Sequence, residues 1–218
     1  MKGRFIFMFS LQKISDRRRD IAFLSVVAMV LSLYGAYSIS FFAKASETVR
    51  SEVVRLHILA NSDSDEDQAV KLLVRDALLK ESEALAGEYT SVEEAEEYFR
   101  ENKDELTAIA NRVLNENGFT YTATVTLTEE YYETRQYGEL TFPAGIYTSL
   151  RVILGKGEGR NWWCVMFPNL CIPVAGDIKT RDEGKSKISK NSKKVVEEKY
   201  EVKFKIVEIY EGLRNWLR

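Results

Sequence analysis

His57 is the single histidine of a 218-residue chain, and Cys164 is one of its two cysteines. A histidine beside a thiol or a carboxylate is the smallest nucleophile and base pair, so His57 with Cys164 or Asp63 sets the first question. The local sequence weakens that reading. His57 sits between Leu56 and Ile58 in a β-branched, apolar run, and no glycine-flanked elbow presents a nucleophile. A hydrogen-bonded structural histidine fits the pattern better. Metal chemistry lacks its spacing, because neither Cys-x-x-Cys nor His-x-x-x-His occurs. Asp63, Asp65 and Asp67 lack the glycine and later glutamate of a calcium loop, and they are better explained as acids opening a helix. Gly155, Gly157 and Gly159 have the look of a phosphate cradle but lead into a strand, so a hairpin turn is the expectation. No cofactor is implied.

The aromatic residues say more than the titratable ones. Between Tyr147 and Cys171 lie Trp162 and Trp163, both cysteines and one of the three prolines. Adjacent indoles are costly to leave in water, and their N–H groups need partners when buried. This stretch is therefore core, interface, or both.

The N-terminus sets the compartment. Ile21 to Ala43 carries no charged residue, a length of 23 that crosses a bilayer of about 30 Å as a helix. Arg17, Arg18 and Arg19 precede it, which keeps the N-terminus cytoplasmic and places the chain after Ala43 outside. Ala43 and Ala45 fit the small-x-small pattern of signal cleavage, while the length of the run suits a retained anchor; both fates are open. Basic residues dominate before Ala45 and the remainder is net acidic, which argues against nucleic acid as a partner. Outside the cytoplasm Cys164 and Cys171 can form a disulfide across the Pro168-Asn169 reversal; two buried thiols are the alternative.

The elements follow from periodicity. Val53 to Leu59 reads as a buried strand, closed by Asn61 to Ser64. Ser64 caps a helix whose apolar stripe is Val70, Leu73, Val74, Ala77 and Leu78. Ser91 with Glu94 opens a second helix carrying Ala95, Phe99, Leu106, Ile109, Ala110, Val113 and Leu114, closed at Asn117-Gly118. Alternating strands are expected through Tyr121 to Leu127, Tyr131 to Leu140, Ile146 to Leu154 and Trp162 to Met166. The expected fold is α+β: a mostly antiparallel sheet with two helices packed on one face, preceded by the signal or transmembrane helix. Residues 1–45 form the basic extension and apolar helix, 46–175 the domain, 176–199 a basic flexible linker and 200–218 an amphipathic segment.

Two blocks carry a resemblance. Arg55 to Asp63, followed by Asp67, Gln68, Lys71, Val74, Arg75 and Asp76, resembles the opening of the stage II sporulation protein R family. Phe142 to Gly145, Tyr147, Leu150, Arg151, Gly155 to Cys164, Phe167, Pro168, Leu170 and Cys171 resemble its second half. The resemblance implies an exported intercellular signal of endospore formation. Such a protein is made in the forespore and sits in the intermembrane space, secreted or anchored at the outer face of the cytoplasmic membrane. There it activates a membrane-embedded aspartic protease, the stage II sporulation protein GA, which processes pro-sigma E. On this reading the chain is a ligand and not an enzyme. The expected contact surface is His57, Asn61 and Asp63 with Trp162 and Trp163 as aromatic anchors. The competing expectation is an extracytoplasmic envelope hydrolase using Cys164 and His57, and a third is an anchored scaffold binding envelope polymer.

Overall fold

The structure is a computed structural model that describes residues 2–84, 90–137, 140–168, 189–197 and 202–217. Met1–Ala43 and Lys44–Arg218 are separate compact units. Helix α1 spans Lys2–Ser51. From Arg19 onward it is long and apolar enough to cross a membrane, and side chains such as Phe23, Leu24, Leu31 and Tyr34 are exposed. Ala43, Lys44 and Ala45 lie within this helix, and Ser46, the residue after the expected cut, is fully buried.

The second unit continues through β1 (Val54–Leu59), α2 (Asp65–Ala84), α3 (Val92–Glu101), α4 (Lys103–Glu116), β2 (Ala123–Tyr132), β3 (Arg135–Tyr137), β4 (Leu140–Phe142), β5 (Gly145–Leu154) and β6 (Asn161–Phe167). Helices α5 (Lys190–Val196) and α6 (Val202–Trp216) complete it. The main sheet has the order β2-β5-β1-β6, while β3 and β4 form a separate antiparallel ribbon. Both β2 with β5 and β1 with β6 are antiparallel, and β1 with β5 is parallel. A parallel pair needs a long connection, which the three helices and β2 supply. The architecture is the expected α+β sheet with helices on one face.

Three local readings change. Gly155 to Gly159 is not a hairpin, because β1 is inserted between β5 and β6 and the loop must cross its end. The second helix breaks at Asn102, which closes α3 through its N–H to the Tyr98 carbonyl and opens α4, so three helices cover the sheet. Tyr131 to Leu140 is not one strand: Tyr131 and Tyr132 finish β2, and the ribbon begins at Arg135.

Ser64 caps α2 as expected, its hydroxyl accepting from the Asp67 N–H at 3.2 Å. The α2 stripe is shifted, however. Leu73 is 45% exposed, while Lys71 and Arg75 are buried beside Val70, Val74 and Leu78. Against this face pack Leu56, Ile58, Leu150 and Val152 of the sheet with Phe99, Leu106, Ala110 and Leu114 of α3 and α4. Within the stretch read as a flexible linker, residues 189–197 hold helix α5. Ser189 caps it, and the apolar pair Val195 and Val196, just past the basic run, is buried. The rest of that stretch lies outside the described residues.

Candidate functional site

The face of the sheet turned away from the helices is also covered, and its residues are polar and aromatic. Side chains alternate along a strand, so Arg55 and His57 share this face with Ser149 and Arg151 of β5 and with Trp163 and Val165 of β6. Arg55 is fully buried. Its guanidinium carbon lies 4.5 Å from the Tyr132 ring centre, 5.4 Å from Tyr137, 5.3 Å from Phe142 and 5.2 Å from Tyr147. Four rings around one cation form a cation–π cage, with the ribbon as its roof. Arg55 Nη2 donates to the Tyr137 hydroxyl at 2.7 Å, while Nε and Nη1 have no partner among the described residues. Burial pushes the Tyr132 and Tyr147 phenols up, with Arg55 opposing, so both stay protonated in the physiological range.

Beside the cage, His57 lies flat on Trp163, with ring centres 3.4 Å apart and planes inclined by 15°. The Arg135 guanidinium covers Trp163 at 5.4 Å. His57 Nδ1 is 3.1 Å from Glu130 Oε2 and 3.2 Å from Oε1; since a carboxylate only accepts, Nδ1 carries the proton. Arg151 Nε forms an ion pair with Glu130 at 3.3 Å. Burial raises the Glu130 carboxyl, but hydrogen bonds from His57 and Ser149 and the charges of His57 and Arg151 outweigh it, so its net direction is down. His57 Nε2 is buried without a partner among the described residues.

Asn61 and Asp63 lie elsewhere, in the turn from β1 to α2. Asn61 Oδ1 accepts from the Lys156 N–H at 3.0 Å and its Nδ2 donates to Asp67 Oδ2 at 2.9 Å, while Asp63 Oδ1 accepts from the Arg160 N–H at 2.6 Å. These bonds hold the glycine loop across the end of β1. Gly155 has φ +56°, and a Cβ there would strike Asn61; one at Gly159 would strike the Ser62 carbonyl. Asp67 is the hub, accepting also from Ser62 Oγ at 2.6 Å and from the Tyr121 hydroxyl. Burial opposes its ionisation, yet the bonds from Ser62, Tyr121 and Asn61 prevail and lower its carboxyl. Lys71, lowered by burial and by Arg160, donates to Gln68 Oε1 at 2.6 Å and to the Arg160 carbonyl at 2.9 Å.

The five expected contact residues are therefore not one patch. Trp162 and Trp163 are consecutive in β6 and face opposite sides: Trp163 stacks on His57, while Trp162 lies under the Arg75 guanidinium of α2 at 4.3 Å. The same alternation separates Cys164 from His57. Cys164 is paired with Leu56 in the ladder, belongs to the apolar core and is disulfide-bonded, so the sheet does not assemble the nucleophile and base of the hydrolase reading. Cys171 lies outside the described residues. What the outer face offers chemically is an ionic and aromatic surface: Glu130 between His57 and Arg151, and Trp163 between His57 and Arg135.

A family profile described as stage II sporulation protein R matches residues 50–177. The stage II sporulation protein R of Bacillus subtilis (strain 168) is 38% identical over 152 residues, which is 69% of this chain and 68% of that protein. The chain belongs to the stage II sporulation protein R family. No solved structure matches it.

Membership gives the chain a place in sporulation and leaves its residues to be explained by the fold. Both halves of the site fall inside the matched span: the cage and ionic patch on one face, the Asp67 hub at the end of β1. Sequence reasoning missed Arg55, Glu130, Arg135 and Arg151 as members of one surface. A charged residue inside the apolar run Val53 to Leu59 was a signal for Arg55. Nothing local pointed to Glu130, because its meeting with His57 depends on β5 lying between their strands.

Proposed function

We propose that this chain is the exported signal of its family, acting outside the membrane of the forespore to switch on a membrane-embedded aspartic protease, the stage II sporulation protein GA, which then processes pro-sigma E. The observation that carries the reading is the family match over residues 50–177, beginning just after an arginine-flanked apolar helix fit to cross a membrane. A ligand acts on a two-state protease only by binding its active state more tightly, and an affinity ratio of about 10⁴ moves a 1:99 mixture to 99:1. The contact surface is the outer-face patch of Trp163, Arg151 and Arg135, held in place from beneath by His57 and Glu130. Partly exposed aromatic and arginine groups, fixed by stacking and ion pairs, are the kind that dominate interfaces.

Co-expression with the protease and its pro-sigma substrate in a non-sporulating host is the test. Cleavage that requires this chain supports the reading. Its loss in Trp163→Ala and Arg151→Ala, with folding intact by circular dichroism, supports the patch. Cleavage without the chain, or none with it, sinks the activation proposal. Turnover of an ester or amide substrate by the purified chain would replace it with the hydrolase.

A further inference from the structure

Helix α6, beyond the matched region, docks on the domain by one face only. Phe204, Val207 and Glu211 are buried, and the Tyr131 hydroxyl donates to the Glu208 carbonyl at 3.5 Å. Glu211 pairs with Arg50 at 3.2 Å, and Arg50 Nη1 donates to the Ala144 carbonyl at 3.1 Å. Gly145 makes this possible, since a Cβ there would strike the Arg50 side chain. The opposite face of α6 is apolar too. Ile209, Tyr210, Leu213, Trp216 and Leu217 recur at i, i+1, i+4, i+7 and i+8 and are 56% to 81% exposed. Scattered surface hydrophobes need no explanation, whereas five on one helical stripe mark a contact.

Chain length selects the occupant. Arg50 lies seven residues beyond Ala43, the last residue of the uncharged run. At about 3.6 Å per residue it cannot stand more than about 25 Å from the end of a span, whatever the conformation between. Glu211 is paired to Arg50, so a bilayer surface is always within reach of α6. The composition agrees: Tyr210 and Trp216 are the aromatic types enriched at the water–lipid boundary, and the side chains that flank the stripe, Lys205 and Arg214, are exposed and ion-paired with Glu208 and Glu211. We propose that α6 is an interfacial helix, its Ile209-to-Leu217 stripe lying in the outer leaflet of the membrane. This inference rests on α1 crossing the bilayer and not on the protease reading.

The test uses the full chain in phosphatidylglycerol and phosphatidylcholine liposomes whose acyl chains carry bromine, a short-range quencher of indole emission. Of the three tryptophans, Trp162 and Trp163 sit in β6 and Trp216 is 81% exposed. Brominated lipid should quench a component of the emission that Trp216→Phe lacks, and Leu213→Glu should reduce that component several-fold. Equal quenching of wild type and Trp216→Phe, or none in either, overturns the proposal. So does efficient cross-linking of Leu213→Cys to a second copy or to a protein partner in place of lipid contact. A chain that alkaline carbonate strips from the liposomes removes the premise and the proposal together.

Discussion

The two faces of the central sheet are made by alternate residues of the same strands, and both are buried, but they are buried differently. Toward the helices, Leu56, Ile58, Leu150 and Val152 meet Phe99, Leu106 and Leu114, and hydrocarbon contacts hydrocarbon. Toward the ribbon, Arg55, His57, Tyr147 and Ser149 are buried, and among the described residues Arg55 Nε and Nη1 and His57 Nε2 stay unpartnered. Burying a charge is costly, and replacing it by an apolar group of the same volume is often neutral or stabilising. The helix face is built for stability; the outer face retains groups that stability alone would discard. The contact proposed above uses the partly exposed edge of that face, Trp163, Arg135 and Arg151.

The contrast predicts unequal responses to substitution. Phe99→Ala, on the helix face, empties a fully buried ring site and should cost about 3–5 kcal/mol, read as a lowered urea midpoint with an unchanged slope. Asp67→Ala comes next. It strands donors from Asn61, Ser62 and Tyr121 at the hub, and the cost should be about 2–3 kcal/mol, with exchange protection lost first in the loop around Gly159. If Asp67→Ala exceeds Phe99→Ala, the turn and not the helix face carries the fold.

The helix face is also the part that could be read from the chain. Apolar spacing marked Val70, Val74, Leu78, Phe99, Leu106 and Leu114 because a 3.6-residue period needs no knowledge of partners. Leu73 failed that reading because Lys71 and Arg75, rather than Leu73, turn inward to the Arg160 carbonyl and Trp162, partners that only the loop crossing brings near. The outer face was legible one residue at a time. His57, Trp163 and Asn61 stood out by type, but grouping them required the strand order, and local sequence defaults to pairing consecutive strands. Treating Trp162 and Trp163 as one anchor overlooked the period of two that sends neighbouring residues to opposite faces.

Acid should act on the outer face and the turn before the apolar face. Glu130 ionises below its ordinary value of 4.5, and Asp67 below 3.8. A carboxyl depressed in the folded state contributes stability that is fully present above its unfolded value and is lost as pH falls through the folded one. Wild type and Asp67→Asn should therefore differ by a constant margin from pH 7 to about 5, and the margin should close only below about 4. Urea titrations across that range decide it. A margin already closing between pH 7 and 5 would assign the stabilisation to another group.

The smallest stability change is expected at the most deeply buried charge. Arg55→Met keeps an unbranched side chain between the same four rings and removes both unpartnered nitrogens, Nε and Nη1. The loss of cation–π attraction, up to about 2 kcal/mol in a desolvated site, is set against the relief of burying a cation. The two nearly cancel, so the urea midpoint should move by less than about 1 kcal/mol in either direction. The ribbon loses the bond that ties Tyr137 to β1, and with it the fixed position of Arg135 over Trp163. In the co-expression assay, pro-sigma cleavage should then fall about tenfold, equivalent to about 1.4 kcal/mol of binding. A stable variant with lost signalling would show that the guanidinium positions the contact surface. A variant destabilised as much as Phe99→Ala would show instead that both faces are core, and the contrast between them would collapse.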